Sequence, residues 1–206
     1  MKKKLCSGLV VSALMYCLGG SAVAQEAAAN PGSPARPAYL RLGLGSAYDI
    51  DGYYRSARLT LEYAPTLNRH LGLASRVVGV LGKPSGSSLE AQLPNQKYKA
   101  AYLEQEIIYY PLGTDKRVLF GVGAGGFAGY YRKNGFTYLQ ATDGRVTDYQ
   151  LNSRQGLHAG YLLTASLEVA LGQQKRWLLG AKSTLRNGIE GNTTTSTHSL
   201  TLGRRL

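Results

Sequence analysis

The sequence predicts an all-β protein: an eight-stranded up-and-down antiparallel transmembrane β-barrel preceded by a cleaved signal peptide. Three observations predict it. Apolar and polar residues alternate with a period of two through most of 38–206, the period at which strand side chains change face. Most alternating stretches reach the roughly 9–11 residues of a membrane-spanning strand, against about 5–6 for an ordinary one. The connections alternate between short and long, as in barrels with short periplasmic turns and longer external loops.

Residues 1–24 precede this pattern. Lys2, Lys3 and Lys4 lead into an apolar stretch from Leu5 to Leu18, and Ala22-Val23-Ala24 fits an A-x-A cleavage site. This is the layout of a secretory signal peptide. Cys6 and Cys17 both lie inside it, so the exported chain has no cysteine for a disulfide, a thiol nucleophile or a metal. Residues 25–37 are rich in Ala, Pro, Gly and Ser and read as a flexible leader. The barrel is expected over 38–206.

The strands follow in order. In 39–48, Leu40, Leu42 and Leu44 share one face. In 57–64, Leu59, Leu61 and Tyr63 lie opposite Arg58, Thr60 and Glu62. In 70–80, Leu71, Leu73 and Val77 lie opposite Gly72, Ala74 and Arg76. In 98–110, Leu103, Ile107 and Tyr109 lie opposite Tyr102, Glu104 and Glu106. In 117–131, Val118, Phe120 and Val122 lie opposite Gly121, Gly123 and Gly125. In 157–171, Leu163, Leu167 and Val169 lie opposite Thr164, Ser166 and Glu168. In 176–186, Trp177, Leu179 and Leu185 lie opposite Lys182, Thr184 and Arg186. In 195–206, Leu200 and Leu202 lie opposite Thr197 and Thr201. The expected connections are 49–56, 65–69, 81–97, 111–116, 132–153, 172–175 and 187–194, every second one short.

In lipid only closed barrels satisfy the backbone of a β structure. The Leu, Val, Ala and Tyr face then points outward and the Gly, Thr and charged face inward. The interior of eight strands has room for side chains and little else. The expected inward charges are Arg41, Arg58, Glu62, Arg76, Glu104, Glu106, Glu168 and Lys182. Both signs are present, so they are expected to pair across the lumen and plug it. Tyr63, Tyr109 and Tyr110 beside short turns, and Tyr48, Tyr98, Tyr130 and Tyr131 beside long loops, match the aromatic girdles of such barrels. Arg204 shares the parity of Leu200 and Leu202 and is expected near the rim.

Composition agrees. A hydrophobic fraction of 44% excludes disorder. The 26 glycines show no collagen period. Beyond residue 24 no apolar run approaches the roughly 18 residues of a membrane helix. The formal charge of +12 falls by three once the leading lysines are removed. The remaining excess clusters near the two longest connections, at Lys83, Lys97 and Lys99 and at Arg132, Lys133, Arg145 and Arg154. Loops facing anionic lipopolysaccharide are expected to be basic on electrostatic grounds, so outer-membrane lipid and lipopolysaccharide are the expected partners. The charge does not require direct nucleic-acid binding.

Catalysis is not expected. His158 and Ser166 share a face but stand eight residues apart on one strand, on the order of 27 Å. His198 and Ser199 are neighbours and face opposite sides, and His70 sits beside a short turn. Neither G-x-S-x-G nor H-E-x-x-H is present. Three scattered histidines and no exported cysteine predict no metal site. No cofactor is expected. Glu104 and Glu106 share a face, and nearby arginines favour ion pairing over acid–base work.

The signal peptide and eight alternating strands resemble small bacterial outer-membrane barrels in the manner of the OmpA and OmpX families. That resemblance covers about 38–206 and implies an outer-membrane location. GAGGFAGYYRKNG (123–135), ATDGRVTDYQL (141–151), AGYLLTASLEVAL (159–171) and the segment 176–206 also resemble the conjugative-transposon protein TraO family. The matching positions are Gly129-Tyr130, Asp143-Gly144, Ser166 to Val169, Arg176, Gly191 and His198. The resemblance implies a component of a conjugal DNA-transfer apparatus, with other apparatus proteins as partners. Two alternatives stand beside it: a general OmpA/OmpX-like barrel for envelope stability or surface adhesion, and a lipid-modifying barrel enzyme.

Overall fold

The computed structural model describes residues 37–49, 54–84, 89–189 and 194–206. The expected signal peptide and nearly all of the leader lie outside them. Eight strands run in chain order: β1 (Ala38–Asp49), β2 (Tyr54–Pro65), β3 (Leu71–Pro84), β4 (Tyr98–Tyr109), β5 (Val118–Thr142), β6 (Arg145–Leu171), β7 (Trp177–Gly188) and β8 (Thr195–Arg205). Each pairs antiparallel with the next, and β1 pairs with β8, so the sheet closes into a barrel. Closure leaves no edge within the wall, which is the condition for a β-sheet in hydrocarbon. No helix among the described residues is long and apolar enough to cross a membrane, which does not bear on crossing by strands.

The period of two decides the two faces. Leu162 is fully buried while the next residue, Leu163, is 50% exposed. Burial alternates without a break from Tyr54 to Ala64. Leu42, Leu61, Val77, Leu103, Leu167 and Leu202 are exposed around the outside. Such a continuous apolar outer wall would be a large hydrophobic surface in water. Tyr63, Tyr109 and Trp177 stand outward at the short-turn end, and Tyr48 and Tyr130 outward toward the other.

Three expected girdle tyrosines turn inward instead. Tyr110 is buried, and Tyr98 and Tyr131 are half-buried. Tyr109-Tyr110 and Tyr130-Tyr131 are adjacent pairs, and strand geometry sends one member of each pair to each face.

The largest correction concerns 132–153. It is not a loop. β5 and β6 continue as one long hairpin, paired from Val118↔Val169 to Thr142↔Arg145. Asp143 and Gly144 form its two-residue turn with φ of 50° and 74°, the positive-φ geometry that Asp-Gly favours. Beyond Lys133, the last β5 residue paired with β4, the hairpin projects by roughly 30 Å at about 3.3 Å per residue. Register shifts at Phe136/Tyr138 and Gln140/Ala141 mark irregularities in the projecting part. A short 3-10 helix (Leu89–Gln92) lies in the β3–β4 connection. Gln92 donates from Nε2 to the Gly144 carbonyl and accepts from the Val146 N–H, at 3.0 and 3.1 Å. The connections expected at 49–56 and 81–97 shorten, because β2 begins at Tyr54 and β3 runs to Pro84.

Candidate functional site

The lumen is filled in three layers. Near the short turns, Tyr39, Ala64, Ala74, Ile108, Tyr110, Leu119, Ala170 and Leu178 form a buried apolar cluster. Toward the long connections, Ala47, Val78, Val80, Tyr102, Phe127 and Leu162 form another, with Tyr98 and Ala100 against it. Among the described residues, five buried cations and four buried carboxylates occupy the lumen with them.

Strand register builds this charged layer. Arg41, Glu62, Arg76 and Glu104 stand directly opposite one another on β1, β2, β3 and β4. Opposite charges in that arrangement attract across each strand pair. Arg41 Nη1 lies 2.7 Å from Glu62 Oε1, and Arg76 Nε 2.7 Å from Glu62 Oε2. Arg76 Nη1 lies 2.8 Å from Glu104 Oε2 and its other terminal nitrogen pairs with Glu106. From β7, Lys182 Nζ reaches Glu62 Oε2 at 2.7 Å. From β6, Glu168 Oε2 meets Arg41 Nη2 at 2.8 Å. Arg58 sets Nη2 within 2.9–3.0 Å of both Glu104 oxygens and donates from Nη1 to Thr197 Oγ1 at 2.7 Å. Thr164 donates to Glu106. Each carboxylate therefore meets at least one cation, which is the condition for keeping charge out of water.

All eight inward charges named from the sequence thus lie together in the lumen. A ninth, Arg186, was absent from that set although it shares the parity of Lys182. Its Nη1 lies 3.4 Å from Glu104 Oε1. Its guanidinium stacks over Tyr102 at 4.6 Å and near Phe127 at 5.7 Å, so it links the charged layer to the apolar one.

Close packing explains all three alternate glycines. A Cβ on Gly121 would press on Ile108 and Ser166, and one on Gly125 on the backbone carbonyl of Gln105. A Cβ on Gly123 would collide with the Glu106 carboxylate and the Thr164 hydroxyl.

The residues weighed for catalysis separate. His158 sits edge-on among Tyr102, Phe127 and Tyr131, with ring centroids 5.1–6.0 Å away. Ser166 donates to the Gly121 carbonyl and Glu168 is ion-paired to Arg41. His70 Nδ1 lies 2.9 Å from the Tyr110 carbonyl at the short-turn end. His198 faces outward, with Nδ1 3.2 Å from Ser183 Oγ and Nε2 3.4 Å from Ser196 Oγ. The β7–β8 register brings Ser183 to His198, a relation invisible along one strand. No carboxylate bonds to His198 among the described residues. Glu104 and Glu106 are engaged by arginines. No group of three His, Cys, Asp or Glu that could hold a metal occurs among the described residues. Arg204 is exposed near the short-turn rim, its guanidinium 5.8 Å from the Trp177 ring centroid.

No protein-family model and no curated protein sequence matches the chain, so the resemblance to the TraO family gains no support. Solved structures do match. The attachment invasion locus protein Ail of Yersinia pestis aligns at a TM-score of 0.54 and 13% identity, over 84% of this chain and 100% of Ail. The outer membrane protein OprG of Pseudomonas aeruginosa aligns at 0.56 and 12%, over 85% and 98%. Neisserial surface protein A aligns at 0.53 and 12%, over 85% and 99%. Likeness at this level of identity shows the fold alone: the chain has the closed eight-stranded barrel architecture of these surface and outer-membrane proteins.

Proposed function

We propose that the chain is a non-catalytic outer-membrane barrel with a sealed lumen, serving the envelope through its outer wall and projecting hairpin. The observation that carries this reading is the filling of the lumen by charged and apolar side chains. Ions crossing it would have to displace partnered charges. The exposed apolar wall supports insertion in a bilayer, and the short and long connections support the hairpin end facing outside. Export through the expected signal peptide predicts a mature N-terminus at Gln25.

Two measurements test the reading. Outer-membrane protein run on a denaturing gel with and without boiling should show a mobility shift, because closed barrels resist detergent when cold. Recovery as soluble periplasmic protein would overturn it. In planar bilayers the protein should give no large, stable conductance; a wide open pore would overturn the sealed lumen. The conjugal-transfer role rests on the sequence resemblance alone. Deleting the gene should lower transfer frequency without harming growth if that role holds, and unchanged transfer would remove it.

A further inference from the structure

The outer wall of β2–β5 reverses the charge logic of the lumen. Inside, cross-strand neighbours alternate in sign. Outside, toward the long connections, Arg55 stands directly opposite Lys83, and Lys99 directly opposite Arg132. Lys99 also faces Leu81, two residues along β3 from Lys83, so the four cations occupy four adjacent strands. All four are exposed. Like charges directly opposite in a sheet repel. None of the four side chains has an ion pair, hydrogen bond or ring contact among the described residues. An anion from outside the chain would relieve the repulsion.

An open groove of about 550 Å³ adjoins this row, with Lys99 and Arg132 among its lining residues. Its exposed small residues are Ala57, Gly79 and Ala101, set among Leu59, Leu81 and Tyr130. Leu59, Gly79, Ala101 and Tyr130 are in direct cross-strand register, so the groove dips between two large side chains. Internal packing does not require a glycine there. A Cβ on Gly79 would meet nothing within 4 Å, and glycine weakens a strand.

We propose that this groove binds a bisphosphorylated, multiply acylated glycolipid of the outer leaflet, the lipid portion of lipopolysaccharide. An acyl chain lies over Gly79 and Ala101, and the phosphates meet Lys99 with Arg132 and Arg55 with Lys83. The site rests on the outer-membrane reading above. Width selects the occupant. Four strands at about 4.8 Å spacing spread the cations over roughly 14 Å, too far for one phosphate and suited to two carried on a disaccharide. Arginine adds bidentate hydrogen bonding to phosphate oxygens.

The test uses the full barrel refolded in detergent, with bisphosphoryl lipid A, monophosphoryl lipid A and phosphatidylglycerol as probes, read by native mass spectrometry and fluorescence competition. Bisphosphoryl lipid A should bind at least tenfold tighter than phosphatidylglycerol, with the monophosphoryl form between them. The K99E/R132E double variant should lose tenfold or more, and Gly79→Leu, which fills the groove from an open position, a comparable factor. Both variants should keep the wild-type gel shift. Equal binding of phosphatidylglycerol would reduce the site to general attraction of anions and overturn the proposal, as would undiminished binding by folded K99E/R132E. A wild-type chain with no gel shift would instead overturn the membrane reading itself.

Discussion

Arg41 on β1 and Glu168 on β6 meet across the lumen, Nη2 to Oε2 at 2.8 Å, joining residues 127 positions apart. Their strands are not neighbours in the sheet. The contact therefore ties together two strands that lie three apart around the ring, which backbone pairing does not do. Arg41→Ala leaves Glu62 and Glu168 short of a cation in a buried site and should cost about 3–5 kcal/mol. The double variant R41M/E168M, which removes both charges, should recover part of that loss. Urea midpoints in detergent, at constant slope, give both values. An R41A midpoint equal to wild type would deny the tie its structural role.

Glu104 is the anion shared by Arg58, Arg76 and Arg186. Glu104→Gln keeps the shape and removes the charge, leaving three buried guanidinium groups with less compensation. We expect a loss of about 3–5 kcal/mol. Glu62→Gln should fall in the same range, because Glu62 serves Arg41, Arg76 and Lys182. The rate of unfolding in hot detergent, followed by the gel shift, should rise in both.

Two glycines of β5 separate packing from propensity. Gly123→Ala forces a Cβ onto Glu106 and Thr164, and overpacking of this kind costs about 1–3 kcal/mol. Gly126→Ala points outward, where the nearest atom to the added carbon is the Gly160 carbonyl oxygen at 3.5 Å. It should be neutral or slightly stabilising. Comparable losses from both would contradict the assigned faces.

The hairpin tip should respond locally. Gly144→Val places a β-branched residue at φ 74°, a strain of roughly 1–2 kcal/mol. Limited proteolysis should cut near 142–146 faster in this variant, while the gel shift of the barrel stays unchanged. A change in the barrel transition would mean that the hairpin is coupled to the wall below it.

The distinction between lumen and outer wall is legible in the sequence, and so is the strand count. Side-chain direction along a strand is local, and one apolar face makes it visible. The projecting part of β5–β6 was not legible by that signal. Many residues on both faces of 134–153 are exposed, so no apolar face marks its period. Asp143-Gly144 was the available signal, since two positive-φ residues between extended segments make a hairpin turn. Arg186 was missed from the charged set although its parity placed it with Lys182.

By itself, then, the sequence determined the period, the faces, the number of strands and the inward placement of eight charges, because each follows from residues close together in the chain. The tertiary structure alone decided which charges meet. Glu62 receives Arg41, Arg76 and Lys182 from three strands. Ser183 meets His198, and Lys99 comes to stand against Arg132 instead of a carboxylate. These depend on register between strands and on closure of the sheet, which couple residues far apart in sequence.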